Sequence, residues 1–371
     1  MAPIPAKRDL GNVLVIGGCG FLGHHIVNLL LSSYKCKVSV LDVRTTRNRR
    51  PDSDGVSYYD GDITSLSSLI PIFEKIKPAV VIHTASPTLA GGSRELYKKV
   101  NVDGTQCVIE ASQKTNVKAL VYTSSASVIS DTVADLVNAD ERWPVIPPAA
   151  QTEYYSQTKA EAEAFVISAN RSSSKLLTCA LRPAGIFGEG DVQMIPQMMK
   201  VYKDGKNNFQ LGDNTNLFDF TYVQNVAHAH CLASFALLQT HAISTPVLDH
   251  EKIDGEVFFI TNCEPVYFWD FARAVWRCQG NEKGTEGVWV ISRDVGNVLG
   301  TVMDWGMWMI GKKSKLTRRE VRYSCMTRYY DCSKAKRRLG YEPIVSLPEG
   351  IRRAVRWFED EQAKEGEKKG Q

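Results

Sequence analysis

Several things are scarce in this 371-residue chain. Its nine cysteines, an odd number, are scattered from Cys19 to Cys332 with no Cys-x-x-Cys pair and no metal-ligand spacing. That excludes a zinc module and predicts free thiols in a reducing compartment. Met1 to Leu10 carries prolines and charges but no apolar core of signal-peptide length, so the expectation is a working face in the cytosol. No clean spanning run occurs either: Val295 to Gly311 is broken by Asp304 and by glycines, against the roughly 20 apolar residues a membrane helix needs. Net charge is small, +4 from 45 basic and 41 acidic residues, which argues against nucleic acid as the main partner. A hydrophobic content of 43% is that of a globular chain, with length for one large or two modest domains.

What is present is organised around Val13-Leu14-Val15-Ile16-Gly17-Gly18-Cys19-Gly20-Phe21-Leu22-Gly23, continuing into Ile26, Val27, Leu29 and Leu30. An apolar run, closely spaced glycines and a helix-period pattern read as strand, tight turn and helix. Gly17 makes the turn, Gly20 lets the backbone approach a pyrophosphate, and Gly23 lets the helix pack on the strand, its N-terminus facing the anion. A second apolar run, Val38 to Leu41, ends in Asp42, about 20 residues past the last glycine, where a ribose-binding acid is expected. The predicted fold is α/β, a Rossmann-type doubly wound parallel sheet.

Val43 to Asp60 is basic and turn-rich, with a short third strand at its end. Asp62 is then an adenine contact, a helix N-cap ahead of Leu66 and Leu69, or both. Ala79 to His83 is a fourth strand, and Thr84, Ala85 and Ser86 follow where the backbone would pass under a cofactor. His83 reads as structural. A helical stretch, Arg94 to Thr115, contains Asn101, read as helix-distorting or water-holding. Ala119 to Thr123 is a fifth strand, with Ser125 just beyond it. Tyr155 and Lys159 stand at i and i+4 on one face of a helix opening at Tyr154.

Further on, Met194, Met198 and Met199 lie on a helix spanning 192–203 and read as a core face in preference to a lipid-contacting wall. His228 and His230 are two apart on a helix spanning 223–237, face different ways and make no metal site. Val257 to Thr261 is a seventh strand and Trp269 to Cys278 a helix. The last helix, Leu347 to Glu359, leads into a charged tail read as disordered. This division assigns 10–184, completed by 216–239 and 255–265, to the nucleotide-binding core. Residues 185–215 and 266–371 form a smaller, mainly helical region facing substrate and membrane.

The glycine turn, Asp42, Ser125 and the Tyr155/Lys159 pair together resemble the extended short-chain dehydrogenase/reductases. Further blocks, Leu181-Arg182-Pro183-Ala184-Gly185-Ile186-Phe187-Gly188 and Phe218-Asp219-Phe220-Thr221-Tyr222-Val223 among them, are similar to the 3-beta-hydroxysteroid dehydrogenase branch. Within it they most resemble fungal decarboxylating members acting on 4-carboxylated sterols. The likeness runs from about Val13 to Phe358. It implies catalysis by Tyr155, Lys159 and Ser125: the tyrosine as base, the lysine lowering its pKa and holding the nicotinamide ribose, the serine holding the alcohol oxygen. It implies cofactor contacts from Gly17, Gly20, Phe21, Leu22, Gly23, Asp42, Asp62, Ile63, Thr84, Ala85, Ser86 and Pro183, besides Tyr155 and Lys159. NAD is expected over NADP because the Asp42 charge would repel a 2'-phosphate, with Arg44 and Arg47 as the opposing signal.

The reaction implied is oxidation of the 3-beta-hydroxyl of a 4-carboxylated sterol or triterpenoid with loss of carbon dioxide. The alternatives are a 3-beta-hydroxysteroid dehydrogenase without decarboxylation, a nucleotide-sugar epimerase or reductase with the same catalytic residues, and a non-enzymatic NAD-responsive scaffold. The resemblance also brings a homodimer and other sterol C4-demethylation enzymes into view as partners. Val288 to Gly311, with Trp289, Trp305 and Trp308, precedes a basic run of Lys312, Lys313, Lys315, Arg318 and Arg319. The expectation is a helix lying on the cytosolic face of the endoplasmic reticulum membrane, the other reading being a cap on the substrate region.

Overall fold

Four apolar runs that would each be costly to leave in water occupy the middle of one sheet in the computed structural model of the chain. The structure describes residues 7–88, 92–245, 247–309 and 318–369, without the side chains of 304–309, 365, 368 and 369. Seven parallel strands lie in the spatial order Glu256–Ile260, Leu177–Pro183, Ala119–Thr123, Val80–His83, Arg8–Ile16, Tyr34–Asp42, Ser57–Asp60. Val13 pairs with Val38 on one side and Val80 on the other. Successive side chains of the first strand go to opposite faces. Val13 and Val15 pack with Ile26 and Leu30 of the helix Phe21–Ser33 and with Val226 and Leu237 of the helix Val223–Ala242. Leu14 and Ile16 pack with Leu69 and Phe73 of the helix Leu66–Ile76 and with Ala162 and Val166 of the helix Tyr154–Ser168. The chain progresses outward in both directions from the first strand, so the crevice between it and Val80–His83 is where a doubly wound sheet binds its ligand.

A second sheet joins distant parts of the chain. Phe218 pairs with Arg328, and Arg328 and Tyr330 pair with Leu136 and Ala139, in the order Val266–Tyr267, Leu217–Phe218, Arg328–Tyr330, Leu136–Ala139. The C-terminal region is thereby attached to the segment just ahead of the Tyr154–Ser168 helix. It has no separate core: Leu339, Tyr341, Ile351 and Val355 share one apolar cluster with Val13 and Val15.

Three expectations change. The last helix runs on through the charged tail as Leu347–Lys369, where Glu361 and Lys364 pair at 2.7 Å at helical spacing. Cys263 and Cys332 form a disulfide, so these two are not free thiols; 69 residues separate them, and no local spacing announces such a pair. The methionine helix begins at Ile195, with Met199 in the core. The side chains of Trp305 and Trp308, and the residues Lys312, Lys313 and Lys315, lie outside the described residues.

The Tyr154–Ser168 helix is tied to the sheet by a buried ion pair. Glu163 accepts two bonds from Arg182, at 2.9 and 2.6 Å, and both side chains are almost fully buried. Removing one partner leaves an uncompensated buried charge, which costs about 3–5 kcal/mol. Glu163→Ala is expected to lower the urea unfolding midpoint by a matching amount; a loss below about 1 kcal/mol would show that the pair does not hold the helix.

Candidate active site

The turn after the first strand is fixed by backbone. Gly17 has φ +80°, its N–H donates to the Leu41 carbonyl at 2.8 Å, and Gly20 N–H closes back on the Gly17 carbonyl at 3.0 Å. A β-carbon on Gly17 would stand 2.8 Å from the Ala85 nitrogen, and one on Gly23 would collide with the Gly17 carbonyl. The helix Phe21–Ser33 starts from Gly20 with no side-chain cap, which leaves first-turn N–H groups for an anion. The Asp42 carboxylate accepts from the Cys19 N–H at 3.1 Å and the Arg44 N–H at 3.3 Å, and so is held beside the turn.

Asp62 accepts from Thr64 N–H at 2.9 Å in a turn, while the helix N-cap is Ser65, so the capping alternative for Asp62 does not hold. Thr84 Oγ1 donates to the Ile16 carbonyl at 2.9 Å, joining the fourth strand end to the glycine turn. Every cofactor contact expected from the sequence, Phe21, Leu22, Ile63, Ala85, Ser86 and Pro183 included, lines one cavity of about 1280 Å³. A phosphate-facing helix end, a carboxylate at the second strand and a side-chain-free approach fit a dinucleotide.

Ser125, Tyr155 and Lys159 line the same cavity. Ser125 Oγ lies 2.8 Å from Ser127 Oγ and accepts the Ser127 N–H at 3.1 Å, and Ser156 Oγ donates to Ser127 at 2.8 Å. The Lys159 ammonium donates to the Thr123 carbonyl and sits 4.5 Å from the Tyr122 ring centroid. Burial pushes Lys159 down to about 7, with Glu163 opposing. Burial also pushes Tyr155 up to about 12 against a hydrogen bond from Ser86, with the Tyr97 ring packed edge-on at 5.7 Å. The chain's own groups therefore move Tyr155 opposite to the direction expected from Lys159, because desolvation outweighs the hydrogen bond from Ser86.

The helical stretch around Asn101 is distorted, as expected: Lys98–Asp103 forms a wider π-type turn. Asn101 accepts from Ser86 Oγ at 2.9 Å and donates to Thr158 Oγ1 at 3.0 Å, bridging the Ser86 loop and the Tyr155 helix. His83 is buried against Thr105 Oγ1 at 3.1 Å, and His230 against Thr123 Oγ1 at 2.7 Å. Among the described residues no three potential ligands cluster around a metal position.

The other half of the cavity was missed in the sequence. Phe218, Tyr323, Met326 and Tyr330 line it together with Met194, the one member of the methionine face that opens into it. Arg318 and Arg319, read as part of a membrane-facing basic run, line the cavity instead, and Arg319 pairs with Glu153 at 3.1 Å. Arg322 and Arg328 line it too. Asp219 accepts the Tyr330 N–H at 2.8 Å, and burial pushes its carboxyl up to about 7. For the arginines the signal was their density between 318 and 328, which surface composition equally explains.

The sequence pattern of the 3-beta hydroxysteroid dehydrogenase/isomerase family matches residues 14–290. A decarboxylating sterol-4-alpha-carboxylate 3-dehydrogenase of Schizosaccharomyces pombe is 43% identical over 353 residues, covering 95% of this chain and 98% of the relative. Its Saccharomyces cerevisiae counterpart is 41% identical (95% and 99% covered), and the human protein of that description 34% identical (93% and 87%). Among solved structures, an epimerase of Methanothermobacter thermautotrophicus superposes with TM-score 0.71 at 20% identity, covering 96% of this chain and 94% of that one. A UDP-glucose 4-epimerase of Thermotoga maritima superposes at 0.69 and 22% identity, covering 95% and 99%. At that identity the structural likeness speaks for the fold.

Burial pushes His83 down to about 3, with Lys159 adding to it, and His230 down to about 4 against a bond to the Val226 carbonyl. The unfolded chain takes these protons near pH 6.5 and the folded chain only well below it, so the stability they contribute is present above pH 6.5 and lost as pH falls toward 4. The loss is on the order of 1 kcal/mol per pH unit for each group. The urea midpoint is expected to fall steadily between about pH 6.5 and 4.5, less steeply in His230→Gln. Equal slopes would refute the assignment.

Proposed function

The chain belongs to the 3-beta hydroxysteroid dehydrogenase/isomerase family, and on that footing we propose that it oxidises the 3-beta-hydroxyl of a 4-carboxylated sterol or triterpenoid and releases carbon dioxide. The observation that carries this reading is one cavity holding a complete dinucleotide cradle, Ser125, Tyr155 and Lys159, and an apolar far wall with arginines set in it. Full-length relatives of that description at 34–43% identity support the substrate class.

A bound nicotinamide dinucleotide supplies the acceptor for the hydrogen leaving C3, and its positive ring favours the phenolate that burial alone opposes. Ser125 orients the alcohol oxygen by hydrogen bond. Tyr155 takes the alcohol proton, and Lys159, fixed on the Thr123 carbonyl, holds the ribose beside it. Proton transfer of this kind contributes about 10² to 10⁴ in rate, and orientation within the cavity the remainder. With a ketone at C3, the bond from C4 to the carboxyl carbon breaks, its electron pair passes to the ketone oxygen as an enolate, carbon dioxide leaves, and C4 takes a proton. No metal is needed for this step.

NAD is the proposed dinucleotide. Asp42 stands at the end of the second strand, one oxygen bonded to the Cys19 N–H of the glycine turn and the other to the Arg44 N–H, where a 2'-phosphate would meet its charge. The test is wild-type turnover of a 4-carboxylated 3-hydroxysterol with each dinucleotide, followed by NADH absorbance and carbon dioxide release. Comparable efficiency with NADP would overturn the choice of NAD. Tyr155→Phe is expected to abolish both products while leaving NAD affinity within about threefold. Carbon dioxide still formed by that variant from the 3-hydroxy acid would break the coupling.

The same reading includes peripheral attachment to the cytosolic face of the endoplasmic reticulum membrane. Among the described residues no helix is long and apolar enough to cross a membrane. The helix Arg293–Met309 turns Val295, Val298 and Val302 outward, and Trp289 is 72% exposed on the strand Trp289–Ile291 before it. A poorly soluble sterol acid favours a site reached from a bilayer, and each Lys or Arg near an anionic surface adds about 1 kcal/mol. In flotation with anionic vesicles, a variant combining Trp289→Ser, Val298→Ser, Val302→Ser, Lys312→Glu and Lys313→Glu should stay in the soluble fraction while the wild type floats. A wild type that does not float, or a variant that floats equally, would remove this helix as the anchor.

A further inference from the structure

A substrate carboxylate on the carbon next to the reacting one must find a cation within a few ångströms of Ser125 and Tyr155, inside a cavity where it loses water. Eight cationic side chains line the cavity. Arg44 and Arg47 belong to the Asp42 end, and Lys99, Arg318 and Arg319 are exposed on the rim. Lys159 bonds the Thr123 carbonyl and, in the reading above, is given to the nicotinamide ribose. That leaves Arg322 on the helix Arg318–Cys325 and Arg328 on the strand Arg328–Tyr330.

Arg328 is the one built into the wall that carries Ser125. Its Nε donates to Tyr330 Oη at 2.7 Å. The buried Tyr330 ring stacks on Phe259 at 4.8 Å and shares a cluster with Ala126, Val128 and Ala184, the residues that follow Ser125 and Pro183. Glu153, two residues before Tyr155, is close enough to act electrostatically on Arg328, yet its carboxylate bonds to Arg319. Among the described residues no carboxylate forms an ion pair with Arg328. With Nε taken by Tyr330, the two terminal nitrogens form a fork of the width a carboxylate accepts.

We propose that Arg328, oriented by Tyr330, receives the substrate's C4 carboxylate and so selects carboxylated sterols over neutral 3-hydroxysteroids. The assignment rests on the reading of the reaction given above. A guanidinium that grips the carboxylate stabilises it before carbon dioxide leaves, when its charge has not yet moved to the ketone oxygen, so the grip serves recognition and the oxidation step.

The experiment compares a 4-carboxy-3-hydroxysterol with its methyl ester, followed by NADH formation, for wild type, Arg328→Gln, Arg328→Lys and Tyr330→Phe. The readout is the ratio of kcat/KM between acid and ester. Arg328→Gln should lower that ratio about 30-fold or more, chiefly through KM for the acid. Arg328→Lys keeps the charge without the fork and should lower it about 5-fold, and Tyr330→Phe should lower it by less in the same direction. NAD binding and thermal midpoint report whether each variant is folded, and if Arg328→Gln is not, the other two decide. A ratio within threefold of wild type in every folded variant, or acid and ester falling together, overturns the assignment. If wild type oxidises the acid and the ratio stays put, only this assignment fails; if wild type oxidises neither compound, the reading of the reaction fails and takes the assignment with it.

Discussion

The backbone between Gly17 and Gly23 comes so close to itself and to Ala85 that no β-carbon fits at either end, and the position of everything around the cavity follows from that contact. It brings the helix Phe21–Ser33 down onto the first strand with its N-terminus open, which fixes where an anion sits. It also brings the turn against the end of the second strand, where the Cys19 N–H holds Asp42. The fourth strand end is drawn in by Thr84, so Ala85 and Ser86 become the floor. One steric constraint therefore sets three walls. Polar groups do the positioning only after the glycines have permitted the approach.

Tyr155 and Lys159 depend on a second arrangement, in which the burial of Glu163 on their helix is offset by pairing with Arg182. Lys159 lies one helical turn before Glu163, and Glu163 is neutralised by Arg182 from the neighbouring strand. Without that strand-borne arginine, the buried Glu163 carboxylate would lose both bonds it accepts, at a desolvation cost of several kcal/mol. With it, the helix is fixed in rotation about its axis, and Tyr155, four residues before Lys159, has one direction to face. Asn101 then ties the same helix to Ser86 across the cavity floor. Tyr155 and Lys159 are thus held in place through Glu163, Arg182 and Asn101.

Much of this end of the molecule was legible in the sequence because its logic is local. Alternating apolar faces, four glycines within seven residues and an i, i+4 pair are all contained within spans shorter than one strand and one helix. The pairing of Leu136 with Arg328 is not local: it joins segments 192 residues apart, and neither carries a strong strand pattern. Hence the part of the far half that Arg328 and Tyr330 supply was invisible. The direction of the Tyr155 shift was misjudged for a related reason, since spacing reports proximity to a charge and burial is a property of the assembled fold. The helical tail after Glu359 fails differently: composition suggested disorder, while Glu361 and Lys364 at helical spacing support the turn they belong to.

The two halves of the cavity therefore answer to different constraints. The nucleotide half is made of backbone approach and short motifs, so almost any substitution there is felt as a steric collision. The far half is assembled from Leu217–Phe218, Arg318–Cys325 and Arg328–Tyr330, two of them paired as strands, and it meets the cavity through side chains such as Phe218, Tyr323 and Tyr330. Phe218 alone touches the rings of Phe220, Phe268 and Tyr323. Such a wall tolerates changes of side chain at constant volume far better than a glycine turn tolerates a methyl group. A fold built this way can hold its cofactor chemistry fixed while the residues that recognise the substrate vary. Selectivity then turns on a few polar groups placed in an apolar wall, because a buried charge left without a partner is costly in a way that a missing methylene is not.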